Sequence, residues 1–110
     1  MILHITTPDA WARAQTEGAY RADSLATQGF IHCSTQSQIA STANRFYAHQ
    51  SGLVLLCIDE THLTADLRYE DINAGDLFPH IYGPLNLDAV IKVIGYEPNA
   101  DGLFVSPHVQ

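Results

Sequence analysis

The segment from Gly29 to Thr35, with the sequence GFIHCST, constrains the fold more than any other part of this chain. Successive residues of a β-strand point to opposite faces, so Phe30, His32 and Ser34 are expected to share one face. The four residues that follow Ser34 have the pattern of a capping box, which opens a helix. The sequence therefore predicts a histidine just before a helix N-terminus, where free backbone N–H groups and the helix dipole favour an anionic ligand.

A second strand rich in polar aromatic side chains is predicted at residues 78–82, FPHIY. His80 and Tyr82 share one face of this strand, and Pro79 indicates a strand start or an edge position. Two interpretations are open. The strand is an ordinary edge strand whose amphipathic side chains face water, or it shares a polar cleft with the strand that carries His32.

The remaining elements follow from hydrophobic periodicity and turn signals. Thr7 and Pro8 have the pattern of a helix N-cap and first helical position, and Gly18 ends that helix. Strands are predicted at residues 1–6, 53–59, 67–70 and 90–96, a second helix at 36–49, a short helical piece or turn at 60–65, and loops at 20–28 and 71–76. Residues 53–59 are apolar on both faces, which is typical of a central strand covered on both sides.

Two main helices and five or six strands over 110 residues predict one α+β domain, residues 1–110, with a mixed or mostly antiparallel sheet. No repeat or linker divides the chain.

The charge of the chain is strongly acidic, with 12 acidic against 5 basic residues and a formal net charge of −7. Nucleic acids and anionic membrane surfaces are therefore not expected as partners. A small anionic nucleotide remains compatible, because a pocket can use helix dipoles and one arginine. The global charge predicts that such a ligand binds more tightly as salt screens the repulsion.

Both cysteines, Cys33 and Cys57, lie in apolar runs and are expected to be buried, reduced thiols. The N-terminus has no basic region of a signal peptide, and the apolar run at 53–58 is far below membrane-spanning length. We therefore expect a cytoplasmic protein.

Five segments together resemble the DUF952 family of small bacterial and plant proteins. They are residues 23–25, 29–35, 43–47, 69–70 and 78–90, of which GFIHCST and FPHIYGPLNLDAV are the most specific. That family in turn resembles the ADP-ribosyltransferase superfamily in fold. The resemblance implies a split, largely antiparallel sheet that binds NAD in a cleft.

The same resemblance implies roles for individual residues. His32 and Ser34 would contact the ribose on the adenine side, and Tyr47 or Tyr82 would stack on the nicotinamide. The superfamily usually places a catalytic glutamate on the strand corresponding to residues 78–82, where this chain has none. His80 would then replace it, or Glu70 would reach in.

The residues alone leave further alternatives open. His32 is either a ligand contact or a half-buried strand histidine bonded to backbone, Glu70 is either a site residue or solvated surface, and Arg45 either binds a phosphate or forms a surface salt bridge. Three strand histidines, His4, His32 and His80, can in principle bind a metal, but no local ligand spacing supports this and we expect no metal.

The leading functional hypothesis is a small enzyme, active or degenerate, that binds NAD or an ADP-ribose-like nucleotide and transfers an ADP-ribosyl or glycosyl group. The alternatives are a non-catalytic module that binds a small ligand or a partner, and a metal-dependent hydrolase.

Overall fold

A computed structural model of the protein describes residues 1–71 and 75–109. The β-strands are β1 (Ile2–Thr6), β2 (Ala19–Tyr20), β3 (Ile31–His32), β4 (Leu53–Ile58), β5 (Asp66–Asp71), β6 (Leu77–Tyr82), β7 (Leu85–Asn86) and β8 (Val90–Tyr96). The α-helices are α1 (Pro8–Glu17), α2 (Asp23–Gln28) and α3 (Ile39–Phe46), and single 3₁₀ turns occupy Glu60–His62 and Leu87–Ala89. No helix of the described ranges has the length and apolar character that crossing a membrane requires.

Two three-stranded sheets, in the orders β1-β4-β8 and β3-β6-β5, form the framework. They meet at one bridge, where the backbones of Leu3 and Ser34 exchange two hydrogen bonds of 2.8 Å. A third pair, β2 with β7, forms a separate two-stranded sheet. All strand pairs in the described parts of the chain are antiparallel, so the predicted α+β class with an antiparallel sheet is confirmed.

Strand β4 is covered on both faces, as its unbroken apolar sequence predicts. Leu56 and Ile58 pack into one core cluster beside α1, and Leu55 and Cys57 pack into a second cluster with Ala43 of α3. Alternate residues of a strand point to opposite faces, so one buried strand serves both clusters. This two-sided core fixes α1 and α3 on opposite sides of the sheet.

The predicted start and end of α1 are confirmed. Thr7 Oγ1 accepts a hydrogen bond of 3.2 Å from the backbone N–H of Ala10, Pro8 occupies the first turn, and Gly18 ends the helix in the left-handed conformation with φ 90°. Each of these residues suits the unpaired backbone groups or the backbone conformation at a helix terminus, and each can be recognised in the sequence.

Two local predictions are wrong. Residues 20–28 are not a loop, because they contain the end of β2 and all of α2. The second main helix is shorter than 36–49: Gln38 Oε1 accepts the Thr35 N–H at 3.0 Å, but residues 36–38 form a turn and the helix begins at Ile39. The capping box is only half formed, since the Thr35 hydroxyl lies 3.2 Å from Ser37 Oγ instead.

The prediction that Pro79 marks an edge or a strand start is also wrong, because β6 is the central strand of its sheet. Pro79 lies opposite Cys33, immediately beyond the end of β3, and its carbonyl accepts the Cys33 N–H at 3.0 Å. A proline cannot return the second hydrogen bond of such a pair. The ladder therefore stops there, and the chain is free to bridge from Ser34 to β1.

The 3₁₀ turn at Glu60–His62 and the strands β5 and β8 lie where the sequence places them. Part of the predicted acidic loop, residues 72–74, lies outside the described residues.

Candidate functional site

A cleft of about 1000 Å³ opens where the two main sheets meet. Its floor is formed by His4 and Thr6 of β1, by His32 of β3 and by Ser34, two residues beyond β3. Residues of α1 and α2 line it on one side and residues of α3 on the other, and His80 reaches it from β6. The strand carrying His32 and the strand carrying His80 thus share a cleft.

Strand register brings the polar aromatic residues onto one face of the β3-β6-β5 sheet. His32 lies directly opposite His80, Arg68 of β5 lies on the other side of His80, and Glu70 lies opposite Phe78. Residues opposite each other in antiparallel strands share a face, and diagonal neighbours are within reach of long side chains. Glu70 therefore reaches His80 diagonally.

Glu70, His80 and Tyr82 form a hydrogen-bonded group. Glu70 Oε1 accepts from His80 Nδ1 at 2.9 Å and from the Tyr82 hydroxyl at 2.5 Å. These two hydrogen bonds, the one from Tyr82 first, lower the pKa of the Glu70 carboxyl below its ordinary value. The bond to Glu70 also raises the pKa of Tyr82, because the carboxylate favours the protonated phenol.

The other ring nitrogen of His80 has no hydrogen-bond partner in the part of the chain that the structure describes. The side chain is completely buried, and Nε2 makes no hydrogen bond to any described residue. When the ring is neutral, donation from Nδ1 to Glu70 leaves the lone pair on Nε2. Buried polar atoms are nearly always paired, so this nitrogen calls for a donor that no described residue provides.

Phe30 holds the two histidines in place. Its ring stacks on His80 with the centroids 4.1 Å apart and the planes 22° apart, and it lies 4.8 Å from the His32 ring. The two histidine rings meet edge to face at 5.3 Å. This packing restricts the rotation of His80 beyond what the bond to Glu70 does alone.

His32 is half-buried, and its Nε2–H donates to Gln28 Oε1 at 2.5 Å. Burial, and then the neighbouring His80, lower the pKa of His32 below its ordinary value. A neutral ring that donates from Nε2 keeps an acceptor on Nδ1. His32 can therefore accept a hydrogen bond from a ligand hydroxyl in the cleft.

A second polar group, not predicted as a unit from the sequence, lies beneath the cleft. His4 Nδ1–H donates to the His32 carbonyl at 2.5 Å, and His4 Nε2 lies 2.7 Å from the Tyr20 hydroxyl. That hydroxyl also lies 2.9 Å from Thr6 Oγ1. Burial lowers the pKa of His4 to about 4, so the ring is neutral near pH 7. Tyr20 is distant in sequence and follows a helix end, which leaves no local signal for this contact.

The other predicted site residues are placed as follows. Ser34 lines the cleft but is almost fully buried, and its hydroxyl donates to Thr42 Oγ1 at 3.2 Å. Arg45, in the last turn of α3, and Tyr47, the residue after that helix, both line the cleft. Glu70 and Tyr82 lie behind His80 and do not line the cleft, and Arg68 stacks on Tyr82 with its guanidinium carbon 4.3 Å from the ring centre.

The described residues contain no group of three or more histidine, cysteine, aspartate or glutamate side chains placed to hold a metal ion. Both ring nitrogens of His4 are hydrogen-bonded within the protein, so they are not available to bind a metal together with His32 and His80. Cys33 and Cys57 are buried free thiols, as predicted, and burial raises the pKa of each.

These features define a small α+β protein with a polar cleft at the junction of two antiparallel sheets. The DUF952 family, described as a protein of unknown function, matches residues 5–93. The chain belongs to this family.

Solved structures of one bacterial protein are similar along nearly the whole chain. The crystal structure of CC0527 from Caulobacter crescentus is 31% identical, with a TM-score of 0.86 over 94% of this chain and 92% of that chain. The solution NMR structure of CC0527 is 32% identical, with a TM-score of 0.81 over 93% and 89%. None of the curated proteins is significantly similar to this chain. The resemblance to ADP-ribosyltransferases therefore stays a prediction.

Proposed function

We propose that this protein is an enzyme that binds NAD or an ADP-ribose-like nucleotide in the cleft and uses His80 as a general base. One observation carries the proposal. His80 is fully buried beside the cleft, with Nδ1 bonded to the Glu70 carboxylate and Nε2 without a partner in the described chain.

The arrangement is that of a histidine base oriented by a carboxylate. In such pairs the carboxylate holds the ring in one tautomer and stabilises the imidazolium that forms when the ring takes a proton. An unpaired buried acceptor costs about 1–3 kcal/mol of folding free energy. A ligand hydroxyl that donates to His80 Nε2 would recover that cost, which favours binding of a hydroxyl-bearing molecule.

The chemistry that fits is transfer of an ADP-ribosyl or glycosyl group. An acceptor hydroxyl or water gives its proton to His80 Nε2, while its oxygen forms a bond to the anomeric carbon of the ribose. The bond from that carbon to nicotinamide breaks, and nicotinamide leaves with the electron pair. Glu70 orients the base, and Tyr82 orients Glu70.

In this proposal the remaining residues hold the ligand. His32 Nδ1 accepts from a ribose hydroxyl, and Ser34 lies next to it on the floor. Tyr47 offers an aromatic ring on the α3 side, where it stacks on a ligand base. Tyr82, which lies behind His80, acts through Glu70.

The test combines a binding and a turnover measurement on His80→Asn. The asparagine amide nitrogen takes the place of Nδ1 and keeps the bond to Glu70, while Nε2 is lost. We expect NAD or ADP-ribose to raise the melting temperature of both proteins, and release of nicotinamide from NAD to fall at least 100-fold in the variant. His108→Asn, the same change at an exposed histidine outside the cleft, is the matched control.

Glu70→Gln provides an independent test, because it keeps an acceptor and removes the charge that stabilises the imidazolium. A drop in turnover of about tenfold or more, without loss of nucleotide binding, is expected. Stabilisation by nucleotide without any nicotinamide release from the unaltered protein would instead establish the non-catalytic ligand-binding module. Full turnover in His80→Asn would rule out the base.

A further inference from the structure

The cleft collects most of the positive charge of an acidic protein. Of the five basic residues in the chain, Arg13, Arg21 and Arg45 line it. Arg13 comes from α1, Arg21 from the segment between β2 and α2, and Arg45 from the last turn of α3. Helices on opposite sides of the sheet thus turn arginines toward one space.

These three arginines form no ion pair with any described residue, although the chain has 12 acidic side chains. Arg45 lies with its guanidinium carbon 5.3 Å from the centre of the Phe46 ring. Only two carboxylates, Asp23 and Asp76, are among the described residues that line the cleft. The lining therefore has an excess of positive charge, while the whole chain has a net charge of −7.

We propose that Arg13, Arg21 and Arg45 form a binding site for the phosphate or diphosphate group of the ligand. The guanidinium group offers a planar fork of donors that matches phosphate oxygens and remains charged at all physiological pH values. Arginines without a carboxylate partner among the described residues are available for an outside anion.

His80 lines the same cleft, and its buried Nε2, without a partner among the described residues, is an acceptor that suits a hydroxyl group. A ligand that satisfies both features has an anionic phosphate and a free hydroxyl, as a phosphorylated sugar or a nucleoside diphosphate has. The inference deepens the proposed function, on which it rests for the hydroxyl contact, and it names two residues, Arg13 and Arg21, that the sequence did not single out. The cleft volume of about 1000 Å³ is ample for such a molecule.

The test uses inorganic pyrophosphate, ADP and adenosine as calorimetric probes, with Arg13→Gln, Arg21→Gln and Arg45→Gln as variants. We expect pyrophosphate and ADP to bind the unaltered protein, and adenosine to bind at least tenfold more weakly than ADP. Each variant should lose about tenfold in affinity for pyrophosphate, which is the effect of one charge-assisted contact. Lys92→Gln, which removes the same charge on β8 outside the cleft, should stay within twofold.

Equal affinities for ADP and adenosine, or pyrophosphate binding that none of the three substitutions weakens, would overturn the inference. The result for the arginine site can be distinguished from the result for His80 as a general base. Pyrophosphate does not need His80, so His80→Asn should bind it normally. Arginine-dependent pyrophosphate binding without any turnover would remove the proposed enzyme and leave the anion site. His80-dependent turnover with an unchanged KM for NAD in all three arginine variants would support the enzyme and rule out the anion site.

Discussion

At the scale of single residues, His4 and His80 differ in how many of their ring nitrogens are hydrogen-bonded to described residues. His4 uses both ring nitrogens within the protein, one on the His32 carbonyl and one on Tyr20. His80 uses one nitrogen on Glu70, and the other has no partner among the described residues. His4 thereby positions the backbone of His32, whereas His80 keeps the nitrogen to which the proposed function assigns the proton transfer.

The burial of neutral His4 makes the stability of the protein depend on pH. Burial lowers the pKa of His4 from 6.5 to about 4, so below pH 6.5 the unfolded chain takes up a proton that the folded chain does not. The free energy of unfolding therefore falls between pH 6.5 and 4, by about 3 kcal/mol once the pH is below both values. Above pH 6.5 this contribution is fully present.

Urea unfolding at several pH values measures this effect. His4→Asn should be less stable than the unaltered protein at pH 7, and the difference between the two should shrink by about 3 kcal/mol as the pH falls to 4. His32 also has a lowered pKa but is common to both proteins, so it cancels in the difference. A difference that is constant with pH would show that His4 is not held neutral.

The two thiols give a simpler expectation. Cys33 and Cys57 are both buried, and burial raises the pKa of each, so little thiolate is accessible in the folded protein. Labelling by a thiol reagent at pH 8 should be at least 100-fold slower in the native protein than in urea. Fast labelling of the native protein would contradict the packing of β3 and β4.

At the scale of elements, α2 decides where Phe30 lies, because the helix ends at Gln28 and only Gly29 separates it from Phe30. Gly29 ends the helix with φ 89°, and its N–H donates to the carbonyls of Ser24 and Leu25. An alanine Cβ there would meet no neighbouring atom, so the cost of Gly29→Ala is backbone strain alone. We expect a loss of about 1 kcal/mol in unfolding free energy.

Gly95→Ala is the control for this prediction, since Gly95 has no positive φ and has open space around the missing Cβ. Thermal or urea unfolding should show no loss for Gly95→Ala. Because Gly29 directs the chain into Phe30, Gly29→Ala should also weaken nucleotide binding. Equal stabilities of the two variants would contradict the role of Gly29 in ending α2.

Elements with local signals are the ones that the sequence predicts. Thr7, Pro8 and Gly18 delimit α1 through caps that act within a few residues, and the apolar run of β4 indicates a doubly covered strand. Helix α2 has only six residues, too few for a periodic pattern, and its N-cap residue Ala22 makes no side-chain hydrogen bond. The sequence therefore predicts a loop where the structure has α2.

The site shows the same division. Alternation within single strands predicts which residues share a face with His32 and which with His80, but the pairing of the two strands is known only from the structure. The bond from His80 to Glu70 depends on the register of β5 against β6, which joins residues ten positions apart through an intervening segment. Arg13 and Arg45 line one cleft because of how α1 and α3 pack on opposite sides of β4. No local pattern encodes such tertiary contacts.

At the scale of the whole molecule, the global and local charges act in opposite directions on an anionic ligand. The net charge of −7 repels it at long range, which alone would make affinity rise with salt. In the proposed anion site the three arginines would act at contact distance, in a cleft with only two carboxylates among its described lining residues. Screening at 0.1 M salt has a length of about 10 Å, so the dispersed surface charge is already largely screened at that concentration.

The arginines should therefore dominate the salt dependence of anion binding. Affinity should then fall with salt, whereas the net charge of the sequence alone predicts that it rises. Affinity for pyrophosphate should fall several-fold between 0.1 and 0.5 M potassium chloride, because each contact competes with ions that salt supplies. In Arg13→Gln the fall should be smaller, since one of the contacts is missing. Lys92→Gln should keep the full dependence. Affinity that rises with salt in the unaltered protein would mean that the global charge outweighs the cleft, and that the arginines do not contact the anion.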